Sequence, residues 1–244
     1  MKTISLIKYF TVIALVTLFF TISPKAMAAG LFGAPQTVSR EAGGLNTAIG
    51  YSYHEDTYEN GADLKIRQNE IYSQAAYGAK NIWEIYARLG MSDLKIEDAF
   101  KDNEKFFTTL GAKAFYPINE TWGVGAFVQG TYYLNDFTDN VSRNKEIEVK
   151  NLRDINCGIG FQVTLPCKTK IYAGPYLHYS EAKMYLSSNI PGLEYAAGNF
   201  SIENKSITGG FAGVDIPLIK GFRLNVEGQY SDKLSAGAAV SYTY

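Results

Sequence analysis

The stretch that decides the fold is the last one, Leu234-Ser235-Ala236-Gly237-Ala238-Ala239-Val240-Ser241-Tyr242-Thr243-Tyr244. Leu234, Ala236, Ala238, Val240, Tyr242 and Tyr244 share one face of an extended chain, and Ser235, Gly237, Ala239, Ser241 and Thr243 the other. Side chains of a strand alternate with period two, so this is a β-strand with one apolar face.

The same period recurs upstream. Phe222, Leu224, Val226 and Tyr230 oppose Arg223, Asn225, Glu227 and Gln229; Trp122, Val124, Ala126, Val128, Tyr132 and Leu134 oppose Gly123, Gly125, Gln129, Thr131 and Tyr133. The pattern predicts ten strands over 43–54, 66–79, 81–93, 105–116, 122–134, 151–165, 170–180, 205–217, 221–231 and 234–244, with eight as the alternative count. The seventh and eighth are the least regular, because Pro175 cannot donate to a ladder and Gly209, Gly210 and Gly213 blur the alternation. Connections after the even strands are short, such as Pro166–Thr169; those after the odd strands are longer and polar, such as His54–Asp63 and 181–204, except the ninth, which is tight around Ser231-Asp232-Lys233. An even strand count with short turns on one side and long loops on the other predicts an all-β, antiparallel up-and-down transmembrane barrel.

Composition agrees. The 244 residues include 18 Tyr, 14 Phe and 23 Gly but are only 19% charged, with a formal net charge of −1. Such a chain has enough apolar surface to fold, and nothing in it resembles a basic nucleic-acid footprint. Lys2 and Lys8, the uncharged run Tyr9–Ile22 and the small residues Ala26 and Ala28 read as a signal peptide over 1–28, cut after Ala28. Its removal takes away three Lys and no acid, moving the net charge from −1 to −4. Residues 29–42, with Gly30, Gly33 and Pro35, are expected to be a flexible periplasmic lead-in rather than a small plug, and 43–244 the barrel domain.

Alternation does not say which face meets water. The non-apolar face mixes a few charges (Glu84, Arg88, Lys113, Arg223, Glu227) with many small residues, as a packed polar lumen requires. Tyr51, Trp83, Tyr116, Trp122, Tyr132, Tyr179, Tyr230 and Tyr244 crowd strand ends, where rings with polar tips favour lipid headgroups. Lipid is therefore expected outside. The signal sequence, the terminal strand and its closing Tyr244 resemble the small bacterial outer-membrane β-barrel families, opacity- or adhesin-like in type. The resemblance implies an outer-membrane location with both termini periplasmic, and a last strand ending in an aromatic residue that the barrel-assembly machinery reads. It implies no ligand; the expected role, read from the long polar connections and particularly 181–204, is structural or surface interaction through extracellular loops, with no catalysis and an unnamed extracellular partner.

Several constellations invite chemistry. Glu84 with Arg88, and Arg223 with Glu227, each lie four apart on the lumenal face, and a charge-satisfying salt-bridge network is the favoured reading over an ion pathway. A narrow small-solute channel is the rival that such a pathway would serve. His178-Tyr179-Ser180-Glu181 resembles the His-x-Ser element of outer-membrane lipid A deacylases and makes a lipid A-modifying hydrolase using His178 and Ser180 the enzymatic alternative. Glu181 replaces that family's Asn, and the strand register points His178 inward rather than to lipid. His54 with Asp56 is similar to the His and Asp pairing of ten-stranded outer-membrane proteases, yet in a polar loop both are expected to be solvated. Asp56, Glu59 and Asp63 fit no 12-residue Ca²⁺ loop, and there is no CxxC, HExxH or phosphate-cradling Gly loop, so neither metal nor cofactor is expected. Cys157 is expected mid-strand facing a residue near 177, with Cys167 in the following turn, roughly 25 Å away along the strand and out of disulfide range.

Overall fold

The computed structural model describes residues 31–37, 44–59, 63–79, 82–96, 100–142, 145–188, 198–219 and 221–244. The expected signal cut after Ala28 lies outside them. They hold twelve antiparallel strands: β1 (Leu45–Glu59), β2 (Asp63–Ala79), β3 (Trp83–Ile96), β4 (Phe100–Pro117), β5 (Trp122–Tyr133), β6 (Phe137–Ser142), β7 (Lys145–Thr164), β8 (Lys170–Ser188), β9 (Gly198–Asn204), β10 (Thr208–Pro217), β11 (Phe222–Tyr230) and β12 (Leu234–Thr243). Ten of them close a barrel in the order β1-β2-β3-β4-β5-β7-β8-β10-β11-β12 and back to β1. The seam pairs Asn46 with Thr243 through Tyr53 with Ala236. Ten staves was the expected count, and the two irregular strands survive as β8 and β10: Pro175 sits opposite Gly210, inside a ladder that runs on either side of it.

The odd-numbered connections differ from expectation. They are β-structure for much of their length, because strands run past the anticipated ends. β1 continues through His54 to Glu59 and turns back at Asp63, and β8 reaches Ser188. The remaining two strands belong to this upper storey. β6 folds back on the start of β7, while β9 bridges the ends of β8 and β1 above the shorter β10, β11 and β12.

Faces invert along the barrel axis. In the lower storey Ile71, Leu89 and Leu110 point outward at 62%, 67% and 66% exposure. Gln68, Glu70, Arg88, Gln129, Glu227 and Gln229 are buried inside. Two aromatic girdles bound this apolar band, Tyr77, Trp83, Tyr116, Trp122 and Tyr244 at the short-turn end and Tyr51, Tyr132, Tyr179 and Tyr230 at the other. In the upper storey the interior is apolar, with Tyr58, Ile66, Leu94, Phe100, Phe137, Leu152 and Ile202 forming one core. In β7 a register shift between Lys150 and Arg153, with Asn151 at φ 53°, exchanges the faces: Val149 and Leu152 are both buried although three positions apart. A similar shift falls between Ser92 and Leu94 in the β3–β4 pair. An apolar-inside, polar-outside storey is built for water, and an apolar-outside, polar-inside storey for lipid.

Residues 31–37 correct the expected lead-in, because they lie inside the barrel. Phe32 is fully buried, stacked 4.2 Å from Phe127 and edge-on to Tyr176 and Phe211 at 5.0 and 5.3 Å. The backbone N–H groups of Phe32 and Gly33 donate to the two carboxylate oxygens of Glu227 at 2.8 Å each. Arg88 donates to the Leu31 carbonyl at 2.5 Å, and the Gln36 N–H to Gln162 at 3.1 Å. A short segment with only two large apolar residues gives little periodic signal; a lumenal carboxylate and an aromatic pocket hold it.

The cysteines fall where expected. Cys157 faces Leu177, and neither it nor Cys167 is in a disulfide.

Candidate functional site

The charged lumenal residues are satisfied by a network, as expected, and it runs to neighbouring strands and the plug rather than along one strand. Four residues along a strand span about 13 Å, too far for Arg223 to meet Glu227. Arg223 bonds Asp215 across the β10–β11 ladder, and Glu227 holds the N-terminal segment, the Tyr172 hydroxyl at 2.9 Å and Gln229 at 2.7 Å. Arg88 likewise takes Gln74 at 2.7 Å as well as Leu31. Three of these bonds tie the wall to the plug.

A second polar cluster lies where the two storeys meet. His54 and Asp56 are two apart on the inward face of β1, and His178 and Ser180 two apart on the inward face of β8. β9 draws the ends of these strands together by pairing with both. His54 and Asp56 are therefore buried, not solvated: His54 is 5% exposed, Asp56 0% and His178 1%. His178 Nε2 lies 3.1 Å from Asp56 Oδ2, its Nδ1 lies 2.8 Å from Asn156 Oδ1, and its ring meets that of His54 edge-on at 5.8 Å. Asn156 stands directly opposite His178 in the β7–β8 ladder. One step up the same two strands, the Tyr58 hydroxyl and Ser180 Oγ are hydrogen-bonded. Asn204 accepts from the Ser180 N–H at 2.8 Å and donates to the His178 carbonyl at 3.0 Å.

Each sequence-level candidate now has a place. His178 and Ser180 face the lumen, away from the bilayer a lipid A substrate occupies. His178 hydrogen-bonds Asn156 and Asp56 while Ser180 bonds Tyr58, so the base and the hydroxyl are not partners, as nucleophilic attack needs. Glu181 lies outside, with Tyr179 and Arg153. Glu59 and Asp63 are exposed about Lys205, at 3.6 and 2.8 Å, while Asp56 points inward, so the acidic run does not converge. Asn156 was missed because a lone Asn within an alternating segment carries no signal. The meeting of His54 with His178 was missed because β9 brings them together, and β9 is seven residues long.

An apolar exterior between aromatic girdles, closed antiparallel pairing and a polar lumen define a membrane-spanning β-barrel of the outer-membrane type. No family model and no curated protein matches the chain. Among solved structures it is similar to the translocator domain of the autotransporter NalP from Neisseria meningitidis, at 14% identity and a TM-score of 0.47, covering 82% of this chain and 88% of that one. It is also similar to the outer membrane protease OmpT from Escherichia coli (11% identity, TM-score 0.44, 85% of this chain and 100% of that one). A third is Ail, the attachment invasion locus protein of Yersinia pestis (13%, 0.39, 84% and 100%). No role and no residue is carried across from them.

Proposed function

We propose that this protein is a non-conducting outer-membrane barrel, with its short turns and both chain ends in the periplasm, that displays its upper storey as an interaction surface outside the cell. The observation that carries this reading is the double seal of the interior. The N-terminal segment plugs the lower lumen around Phe32, beside a small cavity lined by Glu84, Arg88, Lys113 and Asp215, and the apolar core from Tyr58 to Ile202 fills the upper one. A barrel sealed twice leaves its exposed outer surface to act. That surface pairs opposite charges, including Arg67 with Glu55, Lys95 with Asp93 and Arg153 with Glu181. A mixed-charge surface of this kind suits a polar macromolecule rather than lipid.

Cysteine labelling in intact cells tests the orientation. A membrane-impermeant maleimide should modify a Lys183→Cys variant on the outer face of β8. It should reach the native Cys167, exposed in the turn before β8, only after the outer membrane is opened. The reverse pattern sinks the orientation, and steady porin-sized conductance of the purified protein in planar bilayers sinks the seal.

A further inference from the structure

We propose that His54, Asp56 and His178 form a binding site for one divalent transition-metal ion, zinc by its ligand set, inside the barrel where the polar lumen meets the apolar cap. One coordinating atom from each residue lies within 4.8 Å of the others. Nitrogen and oxygen ligands about 2.0–2.2 Å from a tetrahedral zinc stand roughly 3.3 Å apart. The 3.1 Å between His178 Nε2 and Asp56 Oδ2 is already that spacing, and the His54 nitrogen, within 4.8 Å of both, would have to close in on binding.

The surroundings are those of a metal-ligating histidine. Asn156 Oδ1 lies 2.8 Å from Nδ1 of His178, and with that oxygen accepting the Nδ1–H the ring takes the tautomer whose Nε2 lone pair faces Asp56. Two acceptors facing each other need a cation between them. A proton shared by the pair would satisfy Asp56 and His178 alone, whereas a metal would also engage His54, whose ring meets that of His178 at 5.8 Å. Charge favours the metal as well. Asp154 and Glu70 are buried nearby and joined through the Tyr133 hydroxyl, at 3.4 and 2.9 Å. With Asp56 they put three carboxylates into this part of the lumen, and the buried guanidinium beneath them, Arg88, is committed to Gln74 and the plug. Three protein ligands leave a fourth position for water, below the Tyr58–Ser180 hydroxyl pair.

The test uses mature protein without a polyhistidine tag, refolded in detergent with zinc chloride and then desalted, its folding checked by the gel shift on boiling. Elemental analysis should find about one zinc per barrel. His54→Ala and His178→Ala should each abolish retention, and Asn156→Ala should weaken it about 10- to 100-fold in competition with a chelator. Glu181→Gln, on the outer surface, should retain zinc like the wild type. X-ray absorption at the zinc edge of the wild type should show two imidazoles, a readout that holds even if a variant fails to fold. Folded wild-type protein that retains no zinc, or zinc bound only by oxygen, overturns the site and leaves an Asp56–His178 ion pair.

Discussion

Glu227 does the most for its size. It is fully buried, and it accepts two backbone N–H groups of the plug together with Tyr172 and Gln229. Truncation to Ala leaves two buried donors unpaired at about 1–3 kcal/mol each. We therefore expect Glu227→Ala to lower the unfolding free energy in detergent by about 2–6 kcal/mol and to make residues 31–37 cleavable by protease, whereas Glu227→Gln should lose less. Asp232, in the turn between β11 and β12, gives a pH-dependent counterpart. The Thr57 hydroxyl donates to its carboxylate and holds it below the ordinary value, with Lys233 adding to the effect. A depressed acid stabilises the folded state above its unfolded value, near 3.9, and that contribution disappears as pH falls through the folded value. Amide protection at 231–233, after correction for the intrinsic pH dependence of exchange, should fall in that acid window in the wild type and stay level in Asp232→Asn. At this scale the sequence was least legible. His54 read as a loop residue because nothing in His54–Asp63 shows that β1 continues, and the destination of Glu227 was hidden because its partners are backbone amides 194 and 195 residues away.

At the scale of elements, the ten staves were legible because lipid imposes strict alternation on each. β6 and β9 were not: they are six and seven residues long, and their pairings lie in the storey where the faces exchange. The terminal strand yields the sharpest expectation. Tyr244 is 62% exposed, stacks edge-on at 4.9 Å against Tyr242 and donates its N–H to Leu45 at 3.0 Å, beside the seam. Thr243 turns inward to Asn46 at 3.1 Å. We expect Tyr244→Asp to reduce the yield of assembled barrel far more than Thr243→Asp, scored by the boiling-dependent gel shift, because one charge meets the lipid interface and the other a polar lumen. Equal yields would mean that the outward aromatic plays no part in assembly. Gly174 is a different kind of constraint. A Cβ there would lie 1.9 Å from the Ile159 carbonyl oxygen, so Gly174→Ala should push β7 and β8 apart and destabilise the barrel.

For the whole molecule, the two seals are separable. Removing residues 31–37 clears the lower lumen but leaves the apolar core above it, so that deletion alone should stay electrically silent in planar bilayers. Adding Tyr58→Ala and Leu94→Ala, which thin the upper core, should let conductance appear. A deletion that conducts by itself would show that the upper storey is no seal. The barrel as a class was readable from its sequence because every stave repeats one rule. The seals were not, since each is assembled from residues distant along the chain.

The buried plug also limits how the chain can be extended. The barrel closes where β1 meets β12. Inside that ring the first described residues lie among Phe127, Tyr176 and Phe211, with Glu227 holding their backbone. Cleavage after Ala28 would leave only two residues ahead of Leu31. A folded passenger fused at that end would then have no room in the lumen, whereas the same passenger fused after Tyr244, which is 62% exposed, would lie outside it.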